Sequence, residues 1–256
     1  MQPWRTALAQ TDATSIRLCG YDITALMRQS SFPATVFLLH RGRLPTNDEA
    51  RLLDAVLIAV ADHGAGAPSC AASRLVASGN RQSLSAAVAA GVLAIGDEHG
   101  GAGEACMTLI GRVVERTRLG GDIVEAARAE VEAVRAAGAR VPGLGHRQHT
   151  KDPRVDVLFS MAEAMHVAGD GIAAMRAVEA AATALIKPLP MNIDGALAGV
   201  LFDLGFAPPA GKLIFMVGRV AGLTAEIAEE HAREKPMRIR IPVEYDGVPP
   251  RSLEIE

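Results

Sequence analysis

The sequence predicts an all-α protein, a bundle of amphipathic helices with short extended segments near both ends of the chain. Three observations predict it. Apolar residues recur at three- and four-residue spacing along most of the 256 residues. Ala, Leu and Val dominate an apolar fraction of 49%, while aromatic residues make up only 4%, a composition suited to close helix–helix packing. Capping residues, glycines and prolines fall at the ends of the periodic stretches.

Taken in order, SIRLCGYDIT alternates enough for a short strand before Gly20, and Asp22 starts a helix. A second helix runs from about Ser31 to Gly42, and Leu44-Pro45 then breaks the chain. Thr46 and Glu49 have the spacing of a capping box and open a long helix through LLDAVLIAVAD. The segment from His63 to Pro68 reads as a flexible loop. Helices follow over SLSAAVAAGVLAIG, EACMTLIGRVVERTRL and DIVEAARAEVEAVRAAG. A polar, Gly-rich interruption, VPGLGHRQHTKDPR, occupies 141–154, and helices over about 155–168 and 171–186 form a small helical module. Pro188 and Pro190 stop the chain before NIDGALAGVLFDLG. A last long helix over about 211–234 precedes an extended tail, MRIRIPVEYDG. The expected division is a large helical domain from 1–145 and 191–256, with the small module at 146–190 between its halves.

A chain of this length buries a sizeable core. Its net charge of −3 argues against a nucleic-acid partner. Cys19, Cys70 and Cys106 lie far apart, odd in number and without a CxxC pair, so neither a disulfide framework nor a zinc site is expected. No apolar run approaches the roughly 18 residues of a membrane span, and the first residues lack a signal-peptide pattern. The expectation is a cytoplasmic protein with no membrane partner.

Three of the seven histidines, His63, His99 and His146, sit beside glycine at helix boundaries, in ADHGAG, GDEHGGAGE and GLGHR. A glycine neighbour lets the backbone approach a ligand; the plainer reading of any one of them is a capping or surface residue. Asp194 opens an apolar helix and is followed by Gly195, Ala196, Ala198 and Gly199, small residues that leave room for a bulky ligand. An Asp in a first helical turn also simply favours the helix dipole. Arg154, Arg219 and Arg240 stand isolated in apolar or Gly/Pro-flanked settings, suited to a substrate carboxylate or to a structural ion pair. Phosphate-loop and dinucleotide fingerprints are absent, as are HExxH and paired-Cys patterns, so no metal is expected.

From about residue 18 to 248 the chain resembles the citrate synthase family. The features that carry the resemblance are GYDI, GRLPT, ADH at 61–63, HGGAGE, GLGHR followed by KDPR, NIDG, and GRVAG followed by AEIAEE, in that order. The finer resemblance is to the citryl-CoA lyase branch, including the lyase module of ATP-citrate lyase. It rests on ADHG, LAIGDEHGGA, and NIDG with a following DLG. The chain is also short before the first of the three histidines, with GRLPT reaching His63 through a single helix, and it has Gly195 where synthases more often place a bulky or polar residue. The resemblance implies a citrate synthase-like helical fold and the chemistry of acyl-CoA, with coenzyme A as part of the substrate and no metal or redox cofactor. Asp194 then exchanges a proton with the acetyl methyl group, and His99 donates a hydrogen bond to the thioester oxygen. His146 polarises the oxaloacetate carbonyl. His63, Arg154, Arg219 and Arg240 hold carboxylates, with Arg240 reaching across a homodimer, and Arg147 and Lys151 lie near the CoA phosphates. The implied activity is cleavage of citryl-CoA to acetyl-CoA and oxaloacetate. The alternatives are a citrate or 2-methylcitrate synthase, or an inactive CoA- or citrate-binding subunit.

Overall fold

The computed structural model describes residues 2–145 and 151–252. A small antiparallel sheet opens the chain: β1 (Ala9–Thr11), β2 (Ile16–Leu18) and β3 (Tyr21–Asp22), in the order β1-β2-β3. Asp12 accepts the Thr14 and Ser15 amides to close the first turn. Cys19 and Gly20, both at positive φ, make the second, a two-residue hairpin turn. The helices are α1 (Ile23–Gln29), α2 (Phe32–Arg41), α3 (Asn47–Val60), α4 (Pro68–Gly79), α5 (Leu84–Leu93), α6 (Ala102–Arg118) and α7 (Ile123–Ala136), then α8 (Pro153–Ala164), α9 (Asp170–Leu185), α10 (Ile193–Asp203) and α11 (Ala210–Arg233).

The caps fall where the side chains predict. Asp22 accepts the Thr24 and Ala25 amides at the start of α1. Ser31 caps α2, which ends on Gly42 in the left-handed region. Thr46 and Glu49 complete the capping box of α3. Two expectations need correction. The irregular segment that starts at His63 gives way at Pro68 to α4, a helix of twelve residues where the sequence pattern predicts none. And among the described residues strand structure is confined to the N-terminus. The described part of the tail after α11 is exposed over 240–252 and forms no strand, since no neighbouring strand lies beside it to complete a ladder.

One apolar cluster joins α2, α3, α6, α7, α8, α9, α10 and α11, with Phe37, Leu53, Met107, Leu158, Met175 and Leu197 among its buried side chains. Two small satellites, around Cys70 with Leu223 and around Ala77 with Ile227, tie α4 and α5 to α11. The seating of α11 on α3 depends on two glycines. A Cβ on Gly218 would lie 2.8 Å from the Leu57 carbonyl oxygen, and one on Gly222 would land on that of Ala61. Only a backbone without side chains there lets α11 lie against the last turn of α3. Arg219 stands between those glycines, so the contact presses its guanidinium against the α3 C-terminus.

Candidate active site

An α-helix ends with carbonyls that lack partners within the helix, and cations collect there. The C-terminus of α3 collects two. Arg154, in the first turn of α8, donates from Nη1 to the Ala59 carbonyl at 2.9 Å. Arg219, from α11, donates from Nε to the next carbonyl, Val60, also at 2.9 Å. Arg154 is further fixed by two bonds to the buried carboxylate of Asp152, at 2.9 and 2.7 Å. Asp152 in turn caps α8. Arg219 is only 2% exposed, stacks 5.0 Å from the Phe215 ring centroid and donates to Ser69 Oγ at 3.0 Å. A guanidinium carries five N–H donors, so each arginine is anchored with donors to spare. Asp62 and His63 follow directly in the chain, with His63 exposed.

Ser69, buried in the first turn of α4, links this cluster to His99. The Ser69 amide donates to His99 Nε2 at 3.2 Å, and Ser69 Oγ lies 2.9 Å from the same nitrogen. An Nε2 that accepts from a backbone N–H places the ring proton on Nδ1. The ring packs edge-on to Phe215, centroids 6.4 Å apart. The glycines after His99 serve the fold rather than a ligand. A Cβ on Gly101 would meet the Gly96 carbonyl at 2.5 Å, and one on Gly103 would meet that of Gly211 at 2.8 Å.

Asp194 lies in the first turn of α10, behind its N-cap Asn192. Burial is the leading influence on its carboxyl and pushes it up to about 6, with Arg154 and Arg219 pulling the other way and Asp152 adding to the rise. The carboxyl is thereby tied electrostatically to both anchored arginines. Asn192 also straps the segment leading to residue 146. Its Nδ2 donates to the Gly145 carbonyl at 2.7 Å, its amide to the Gly143 carbonyl at 3.0 Å, and the Gly145 amide donates to Pro190 at 2.7 Å. The space beside Asp194 expected for a bulky ligand is filled by protein. A Cβ on Gly195 would meet the Gly143 carbonyl at 2.6 Å, and Gly199 packs on Ile172.

The structure therefore brings His63, His99, Arg154, Arg219 and Asp194 to one region. Lys151 is exposed and paired with Asp156 at 2.5 Å. Arg240 stands in the exposed tail. His146 and Arg147 lie outside the described residues. Sequence reasoning missed Ser69, Asn192 and Asp152; the last two were legible as polar residues just before apolar helices. Ligand atoms of Asp62, Cys70 and Glu226 lie within 4.8 Å of one another. As donors to a metal they are compromised. Burial, then the bond to Asp62, pushes the Cys70 thiol up to about 11, and Glu226 is paired with Arg74.

Comparison with known proteins agrees with this geometry. A citrate synthase from Deinococcus radiodurans is 29% identical over 89% of this chain, and a citrate/2-methylcitrate synthase from Bacillus subtilis is 28% identical over 82%. The chain spans only 59% and 55% of the lengths of these two relatives. The solved citryl-CoA lyase of Hydrogenobacter thermophilus superposes with a TM-score of 0.89 at 35% identity, covering 99% of this chain and 98% of that one. An ATP citrate lyase from Methanothrix soehngenii, solved with citrate and coenzyme A, shares the fold, with a TM-score of 0.75 at 22% identity over 96% of this chain and 42% of that one. The family model for the citrate synthase C-terminal domain matches residues 45–240, a span that holds both anchored arginines, His99 and Asp194, and the chain accordingly belongs to the citrate synthase family.

Proposed function

We propose that this chain cleaves citryl-CoA to acetyl-CoA and oxaloacetate. The observation that carries the reading is the Asp194 carboxyl, raised to about 6 by burial and facing two arginines bolted to the end of α3. In cleavage the carbon–carbon bond breaks to leave the acetyl-CoA enolate, and the Asp194 carboxylic acid delivers a proton to its methylene carbon. His99, with its proton on Nδ1, donates to the thioester oxygen as negative charge develops there. One such donor is typically worth about 3 kcal/mol in the barrier. Arg154, Arg219 and His63 hold the carboxylates of the oxo-acid half, and His146 takes the hydroxyl proton as the ketone forms. Arg147 and Lys151 are assigned to the CoA phosphates. The full-length likeness to the Hydrogenobacter lyase supports cleavage over synthesis, whereas the curated synthases favour condensation followed by hydrolysis. Incubation with citryl-CoA separates them: acetyl-CoA and oxaloacetate without free CoA are expected, and free CoA with citrate would make the chain a synthase.

The same reading includes a homodimer in the cytoplasm. The stretch 83–96 that contains α5 has no charged residue, yet only Ala87 and Gly91 of that helix are buried, and Leu84 and Leu93 are 57% and 85% exposed. A helix apolar on all sides is normally covered, and its small uncharged face fits a second copy of itself. The tail places Ile239, Ile241, Val243 and Tyr245 at every second position and leaves the last three exposed, as an arm laid on a partner would. Arg240 lies on that arm and is assigned to the neighbouring site. Leu93→Lys is expected to convert the dimer to monomer in sedimentation velocity, with loss of turnover; an unchanged sedimentation coefficient would place the interface elsewhere.

A further inference from the structure

We propose that Asp62 is a positioning residue, holding His63 where it meets the substrate carboxylate; the inference rests on the reading of His63 as a carboxylate-binding residue. Asp62 comes two residues after the last residue of α3, beside the negative end of the helix dipole, the unfavourable end for an acidic side chain. A residue that breaks a local rule in this way marks a site where another requirement dominates. The requirement is visible in its contacts. Oδ2 accepts the Gly64 amide at 3.2 Å, and Oδ1 accepts the thiol of Cys70, in the first turn of α4, at 3.2 Å. The carboxylate thus spans His63 and ties the turn around it to the helix that carries Ser69. Gly64, at φ +83°, continues the turn, and its carbonyl accepts the Ala67 amide at 3.0 Å.

The anchor itself is rigid. Asp62 follows Ala61, whose carbonyl is pressed by Gly222, and a Cβ on Gly222 would come within 3.1 Å of that of Asp62. Burial works against the charge of Asp62. The Cys70 thiol, the Gly64 and His63 amides and the nearby Arg219 nevertheless hold its carboxyl below the usual range. Cys70, fully buried, keeps its proton and remains a donor. Asp62 therefore fixes His63 relative to both Ser69, and through it His99, and Arg219.

The test is steady-state kinetics in the condensation direction with Asp62→Ala, Asp62→Asn, His63→Ala and the double variant Asp62→Ala/His63→Ala. Asp62→Ala is expected to raise KM for oxaloacetate roughly tenfold, with kcat and KM for acetyl-CoA little changed. Asp62→Asn, which keeps an acceptor for the Gly64 amide, should recover most of that loss. The double variant should match His63→Ala alone, because a positioning residue has no effect once its target is gone. Equal rises in both KM values, or additive effects in the double variant, would overturn the proposal. So would tighter oxaloacetate binding in Asp62→Ala, since it would mark Asp62 as a mere competitor for Arg219. A His63→Ala enzyme with unchanged oxaloacetate KM would instead remove the reading of His63 on which the proposal stands.

Discussion

Asp194→Asn is expected to lose turnover by about 10²–10⁴-fold, the usual contribution of a positioned acid or base, and at the same time to make the fold more stable. The amide is nearly isosteric, so Asn192 can still cap α10. The stability gain follows from the raised carboxyl. Below about pH 4 the group is protonated whether folded or unfolded, and burial costs nothing. As pH rises from there through about 6 the unfolded chain ionises first, and the folded state loses stability; above about 6 the whole cost is present. A shift of about two units, discounted for partial access to solvent, corresponds to about 2 kcal/mol at neutral pH. Thermal unfolding at pH 7 and pH 4 checks it: the variant should exceed the wild type at pH 7 and lose its advantage at pH 4. The same group sets the pH dependence of kcat/KM. Condensation needs the carboxylate and should rise through about pH 6 to a plateau, whereas cleavage needs the acid and should fall above about pH 6. A flat profile in both directions would assign the proton to another residue.

Gly222→Ala should be among the most damaging single-methyl changes in the chain. Its Cβ would be driven into the Ala61 carbonyl, which is backbone and cannot swing aside. Overpacking of this kind costs about 3 kcal/mol, which in a chain of this size lowers Tm by roughly 6–12 °C. The damage reaches the site as well, because the same contact seats Arg219 on Val60 and fixes the start of the Asp62–His63 segment. Oxaloacetate KM should therefore rise even at temperatures where the variant is folded. Gly138→Ala, in open space at positive φ and away from the site, would serve as a control for backbone strain alone.

Most of the helices were legible because their buried faces are aliphatic and their ends are capped. α4 was not, and the reason is chemical. Its buried positions are Ser69, Cys70, Ser73, Ala77 and Ser78, a face with almost no hydrophobic signal. Only Pro68, suited to the first helical position, announced it. The individual site residues were named from their place in motifs. What links them was invisible, because it is made by backbone. Consecutive carbonyls of α3 receive two arginines that are 65 residues apart in the chain, and one amide of α4 sets the tautomer of His99. The glycines around His99 and Asp194 suggested room for a ligand, whereas each measured approach is to the protein's own chain.

The contact between Gly143 and Gly195 constrains how this protein can change. A Cβ on Gly143 would lie 2.7 Å from the Gly195 Cα, and one on Gly195 would lie 2.6 Å from the Gly143 carbonyl. Neither position tolerates a side chain while the other segment stays where it is, so the mutational path to a larger residue after Asp194 must begin with displacement of the 143–145 strap. A lineage carrying such a residue therefore records a moved strap, and a single substitution at position 195 cannot convert one kind of site into the other.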